Sequence, residues 1–159
     1  MEGKGTIMDI HEYLRQNKVE FVTHGHAPAY TAQAVAAEEH VSGHVVAKVV
    51  IVKGDDKFAM CVLPAPRMLD LKKVGNLIGA RKVRLADEKE IASLFPDVEV
   101  GAEPPFGHLY NLPTLVDQRL AQRGDVVFQG GSHQEAVRMK YADYARLAQP
   151  TAGDIVADL

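Results

Sequence analysis

The stretch HVVAKVVIVKGDDKFAMCVLP, residues 44–64, restricts the fold more than any other part of the chain. Two runs of β-branched and apolar residues flank the polar turn KGDDK, the pattern of two central strands joined as a hairpin. Strands apolar on both faces need cover on both, so the remaining elements must supply a layer on each side. One residue does not fit the run. Lys48 stands after Val45, Val46 and Ala47 and before Val49, Val50, Ile51 and Val52, where an ammonium group has little surface along which to snorkel. It either loses its proton or keeps its charge by meeting an anionic or carbonyl group. The alternative is an edge strand with a wet outer face, and Lys53 and Lys57 at the turn are expected to point outward.

Around the hairpin, helices and strands alternate. DIHEYLRQNK predicts a helix capped by Asp9, VEFVTH a short strand, and TAQAVAAEEHVSG a helix capped by Thr31 with Gly43 in the left-handed position past its end. LDLKKVGNLIGA is amphipathic through Leu69, Leu71, Val74, Leu77 and Ile78 and stops at Gly79; KVRLA is a strand. DEKEIASLFP carries a capping box at Asp87 and Glu90. After the irregular GAEPPFGHLYNLP come strands TLVD, VVFQGG and EAVRM and a last helix, YADYARLA. The expected class is α/β of the α+β type: a mixed, curled, barrel-like β-sheet surrounded by helices, in one domain over residues 1–159. No strand leads into a glycine-rich phosphate fingerprint, which disfavours a doubly wound nucleotide-binding fold.

Composition narrows the partners. The net charge of −3 shows no global basic field, and Arg67, Lys72, Lys73, Arg81, Lys82 and Arg84 read as a solvated helix face and strand edge. Sequence-specific DNA binding has no helix-turn-helix signal to support it. No apolar stretch approaches the length that spans a bilayer, and MEGKGTIMDIHEYL has no signal-peptide core, so no membrane partner is expected. The single cysteine, Cys61 in FAMCVLP, reads as a buried strand residue; it rules out a disulfide framework and fits a reducing, cytoplasmic setting.

Metal and nucleophile readings are weak. His40 and His44 have i, i+4 spacing, but Gly43 is expected to break the helix between them, and HGH (His24, His26) lies in a strand-to-loop turn. Ser132 and His133 are adjacent in GGSHQ, yet neighbours on an extended segment point apart. The glycines of GGSHQ and of GAEPPFG suggest close backbone approach, and the second loop could turn its N–H groups to a carbonyl, carboxylate or phosphate.

In order, HAPAYT, VAKVVIVK, RMLDLKKVGNLIGARKVRLA, GAEPPFG, LPTLVD and FQGGSHQEAVRM resemble the YbaK/aminoacyl-tRNA-synthetase-associated domain family, which includes the editing insertion of bacterial prolyl-tRNA synthetases and its free-standing relatives. The resemblance runs from about residue 8 to the C-terminus. It implies a curled mixed sheet and hydrolysis, without metal or cofactor, of the ester joining a wrong small amino acid (alanine, serine, threonine or cysteine) to tRNA. It places the family's central lysine on Lys48, attracting the CCA end or stabilising an oxyanion. It places the family's glycine loop on Gly101 to Gly107, with Pro105 and Phe106 inside it and its N–H groups positioning carbonyl and water; Pro104 removes one such donor. His26, Tyr30 and Thr31 match a pocket-lining segment, Gly130, Gly131, Ser132 and His133 a second one, and Asp117 a family aspartate. The implied partners are the acceptor end of a misacylated tRNA and an aminoacyl-tRNA synthetase. Two other readings stay open: a non-catalytic aminoacyl- or nucleotide-binding module of this fold, and a metal-dependent hydrolase using His24, His26, His40 or His44.

Overall fold

A computed structural model describes residues 9–158; residues 1–8, part of the segment read above for a signal peptide, lie outside it. The hairpin of β2 (Ala47–Gly54) and β3 (Lys57–Pro64) is its centre, in register from Ala47 against Pro64 to Gly54 against Lys57. Asp55 makes the turn with φ +55°, and its carboxylate accepts the N–H groups of Arg81 and Lys82. That bond ties the turn to β4 (Val83–Leu85), which pairs with the far end of β2. On the other side β3 pairs in parallel with β5 (Thr114–Asp117), and β5 with a short last strand, β8 (Thr151–Gly153), which periodicity does not announce.

A second, antiparallel sheet has the order β1 (Phe21–Gly25), β7 (Glu135–Lys140), β6 (Asp125–Gln129). Among the described residues a single parallel bridge, Val46 to Val127, links the two sheets, so the mixed sheet curls without closing into a barrel.

Helices start where capping chemistry says they should. Asp9 caps α1 (Ile10–Gln16), Thr31 caps α2 (Ala32–Glu39), Asp70 caps α3 (Leu71–Ile78), and α4 (Glu88–Leu94) has the full Asp87/Glu90 capping box. α5 (Tyr141–Ala148) follows β7 directly. The end of α2 departs from expectation. His40, at φ +56°, takes the left-handed cap, its N–H reaching the carbonyls of Ala36 and Ala37, and Gly43 instead opens a short 3₁₀ turn. Histidine is unusual there, and the sequence points to the nearby glycine instead.

Both faces of the hairpin are covered. Ala47 and Ile51 join Met60, Val62, Phe106 and Phe128 in the main core, while Val52 and Cys61 pack with Val74, Leu115 and Ile155 beneath α3. Burial pushes the Cys61 thiol up to about 12, so it stays protonated. Among the described residues no helix is long and apolar enough to cross a membrane.

Asp117 is fully buried at the end of β5. It accepts the Ile155 N–H at 3.1 Å, the Arg119 N–H at 3.1 Å and the Arg119 guanidinium at 3.1 Å, fastening the C-terminal segment to the sheet. Asp117→Ala strands these donors and is expected to lower the unfolding free energy by about 3 kcal/mol, read from urea denaturation midpoints.

Candidate functional site

The uncovered edge of β2 decides where a site can form. In an antiparallel ladder, alternate residues turn both backbone groups toward the same neighbour. Val46 gives its carbonyl to the Ala65 N–H on the β3 side, whereas Ile51 gives its carbonyl to Ala86 on the opposite side, where β4 pairing starts at Val52. Between the Val46–Val127 bridge and Val52 no strand among the described residues lies along that opposite edge. Val49 shares the orientation of Ile51, so its N–H and C=O face the gap.

A cleft of about 260 Å³ opens there, lined by Ala47, Lys48, Val49 and Val50 of β2, by Tyr30 to Ala32 at the start of α2, and by Gly101, Glu103 and Gln129. Lys48 is half-buried and donates from Nζ to the carbonyl of Arg67. Arg67 is itself tied to the C-terminal segment through its guanidinium and the Ala157 carbonyl, 3.2 Å. Burial holds the Lys48 pKa below the ordinary lysine value, while the carbonyl contact gives the ammonium a partner. The lysine therefore escapes neither to bulk solvent nor into a dry core.

Behind the cleft sits His133, 8% exposed. Its Nε2 faces the Val100 carbonyl at 2.8 Å and must carry the proton there, since a carbonyl only accepts. Nδ1 lies 2.9 Å from the side-chain amide of Gln129. Tyr30, 68% exposed at the mouth, packs on the His133 ring with centroids 4.8 Å apart.

The glycine loop is arranged differently from the sequence expectation. Gly101, at φ +93°, donates its N–H to the Glu103 carboxylate at 2.8 Å; Ala102 donates to Glu99, Phe106 to Pro104, and Gly107 to the Thr114 hydroxyl. Pro104 and Pro105 have no N–H to give. These groups are thus engaged within the fold and are not turned to a ligand. Of the loop, Gly101 and Glu103 reach the cleft; Pro105 is buried outside it, Phe106 is a core ring against Tyr13, Phe128 and Tyr144, and Gly107 is buried where a Cβ would meet Thr114 Oγ1 at 2.3 Å.

Other expected site residues also divide. Tyr30, Thr31 and Lys48 come together, and His133 backs them. His26 lies apart, its Nδ1 on the Ala27 carbonyl at 2.6 Å. Gly130, Gly131 and Ser132 line a separate depression of about 250 Å³ beside Asp9, Asp97 and Glu135. Glu103 and Gln129 were not singled out in the sequence, although a carboxylate beside two prolines and a polar residue ending an apolar strand are visible there. Among the described residues no three His, Cys, Asp or Glu side chains converge as a metal ion would require; His24, for example, is paired with Glu39 at 2.8 Å. A larger groove of about 510 Å³ lies at the hairpin turn and the end of α3, lined mainly by Phe58, Leu77, Ile78 and Leu115, and is remote from this chemistry.

Comparison with known proteins fits this layout. The model of the aminoacyl-tRNA editing domain matches residues 26–147, a span that begins at His26 and takes in every cleft residue. The chain belongs to the aminoacyl-tRNA editing domain family. It is 29% identical over 154 residues, 94% of this chain and 92% of the relative, to the multifunctional Ser/Thr-tRNA deacylase ProXp-y of Escherichia coli K12. Among solved structures, hypothetical protein APE2540 superimposes with a TM-score of 0.86 at 22% identity, covering 94% of this chain and 100% of that one. A candidate trans-editing enzyme for prolyl tRNA synthetase superimposes with a TM-score of 0.82 at 21% identity, covering 99% and 100%. Both structural likenesses establish the fold of this editing domain.

The burial of Lys48 has a measurable sign. Its folded-state pKa lies below the ordinary value of 10.5, so between the two the unfolded chain holds more protons. The Lys48 contribution to stability therefore rises with pH through that alkaline window. Nζ-detected NMR should find Lys48 titrating below the ordinary lysine value of 10.5, and Lys48→Met should remove its share of the rise in urea stability.

Proposed function

We propose that this protein is a trans-editing aminoacyl-tRNA deacylase, which hydrolyses the ester joining a small amino acid to the 3′ end of a misacylated tRNA. The observation that carries the reading is Lys48, an ammonium held on a backbone carbonyl at the open edge of β2. Family membership and the Ser/Thr-tRNA deacylase relative support the reaction class and favour serine and threonine as the amino acids removed. A cleft of about 260 Å³ is smaller than the roughly 300–1,000 Å³ of pockets that enclose drug-sized ligands, which suits an aminoacyl group with the nucleotide left at the mouth.

In this reading water adds to the ester carbonyl carbon, the carbonyl oxygen takes up negative charge, and collapse expels the ribose oxygen, which is protonated. The products are the free amino acid and tRNA with its terminal hydroxyl restored. Charge develops on the carbonyl oxygen, so donors aimed there lower the barrier. Lys48 supplies one. The Val49 N–H, unpaired along the β2 edge, supplies a second and takes the part expected of the glycine loop. Lys48 acts as a charge and not as a base, because the Arg67 carbonyl favours the protonated form. Exposed Tyr30 offers a ring face to the terminal base.

The partner is the acceptor end of tRNA, with a synthetase supplying the mischarged molecule. We place the activity in the cytoplasm, a setting with which the single reduced, buried Cys61 accords. The same fold could hold an aminoacyl group without cleaving it, and one experiment separates the two. In single-turnover assays on Ala-, Ser-, Thr- and Cys-charged tRNA, the wild type is expected to cleave Ser- and Thr-tRNA at a rate that chelator leaves unchanged. Lys48→Ala should slow this by roughly 10²–10³-fold. Survival of every ester would leave the binding module as the better account.

A further inference from the structure

We infer that Glu103 is the residue that reads the α-ammonium of the substrate, so that the cleft admits aminoacyl esters only when their amine is free. The inference rests on the deacylase reading and assigns the cleft a polarity, with Lys48 at the ester and Glu103 at the amine.

Glu103 is 3% exposed and lines the same cleft as Lys48. Carboxylates are almost never buried to this degree without a cation. Ten ion pairs form among the described residues, and Glu103 is in none of them; His133, behind the cleft, acts on it electrostatically without pairing with it. Glu103 Oε2 accepts the Gly101 N–H at 2.8 Å. That bond fixes the carboxylate's orientation without neutralising it. Gly101 can turn its N–H back in this way because it sits at φ +93°, and its missing side chain leaves room for His133 Cε1, which a Cβ would approach to 3.3 Å.

The neighbouring groups agree with a cationic guest. Gln129, whose Oε1 lies 2.9 Å from His133 Nδ1, lines the same cleft and adds an amide to its wall. An ammonium has three N–H donors and no acceptor, so a carboxylate oxygen and an amide oxygen suit it, whereas an acylated amine offers one donor and no charge. An aminoacyl ester presents its amine one carbon from the reacting carbonyl, within the small volume that Lys48 and Glu103 share.

The test compares Ser-tRNA with N-acetyl-Ser-tRNA in single-turnover hydrolysis by the wild type and Glu103→Gln. Glutamine keeps the size and can still accept the Gly101 N–H, and an unchanged thermal midpoint would show that the loop is retained. The wild type is expected to cleave the free-amine ester at least tenfold faster than the acetylated one. Glu103→Gln should lose roughly ten- to hundredfold on Ser-tRNA, with the loss in KM, and nothing on the acetylated ester. A wild-type enzyme indifferent to acetylation, or a variant that keeps the wild-type ratio, overturns the assignment. A hydrolysis-resistant probe, the seryl amide of 3′-amino-3′-deoxyadenosine, separates this from failure of the deacylase reading. If the wild type cleaves no ester yet binds the probe at least tenfold more tightly than does Glu103→Gln, Glu103 retains its role in a binding module. If the two bind the probe alike, the assignment fails.

Discussion

The part of β2 that no strand covers is the constraint on which the rest of the site depends. This strand touches one sheet through Val46 and belongs to the other from Ala47 onward, and the two sheets diverge before β4 reaches Val52. A strand edge buried without partners would leave N–H and C=O groups unsatisfied at a cost comparable to lost hydrogen bonds. The fold avoids that by keeping the gap open as a cleft. Lys48 is placed there because it is the second residue after the bridge, on the face that looks toward the 65–70 loop and the Arg67 carbonyl.

The glycine- and proline-containing loop then acts as a wall and not as a ring of donors. Phe106 anchors it in the core through edge-on contacts with Phe128 and Tyr144, ring centroids 5.6 and 5.2 Å apart, and such pairs add about 0.5–1.5 kcal/mol beyond area burial. The two prolines before Phe106 narrow the backbone freedom of the loop. Burial raises the Glu103 pKa, and the N–H groups of Gly101 and of Glu103 itself, with nearby His133, oppose that rise.

Much of this can be read from residues alone, and the limits have physical causes. Lys48 stands out because a single charge in an apolar run needs an explanation whatever the fold. Capping residues Asp9, Thr31 and Asp87 were legible because caps are local, whereas Asp70 lay inside the amphipathic stretch read from Leu69 and caps a helix that starts at Leu71. The three-residue β8 was not, since its pairing with β5 is a long-range event without periodicity of its own. Glu103 was hidden because carboxylates in loops rich in glycine and proline are ordinarily wet, and only the packing of Phe106 draws this one inside. Gly107 gave the opposite difficulty. A glycine after Pro-Pro-Phe suggests approach to a ligand, whereas here it admits the Thr114 hydroxyl.

Charge outside the cleft also bears on how a tRNA would be held. Lys73 is bound by Asp154 and Asp158 at 3.1 and 2.9 Å, and Arg84 by Glu90 at 2.8 Å, the latter strongly enough to hold the Glu90 carboxyl at about 2. Cations so paired have little attraction left for phosphates, and counterion release scales with the number of phosphates neutralised. Of the basic residues from Arg67 to Arg84, Lys73 and Arg84 are paired with carboxylates and Arg67 with the Ala157 carbonyl, while Lys72, Arg81 and Lys82 lie exposed to solvent. In the deacylase reading, discrimination among amino acids arises within the cleft, from a few polar contacts. Such contacts discriminate well, because an analogue that leaves a buried polar group unpaired loses far more than one that differs by a methylene. In the deacylase reading, the polar groups Lys48, Glu103 and Gln129 on the wall of this open cleft are what the amino acid meets.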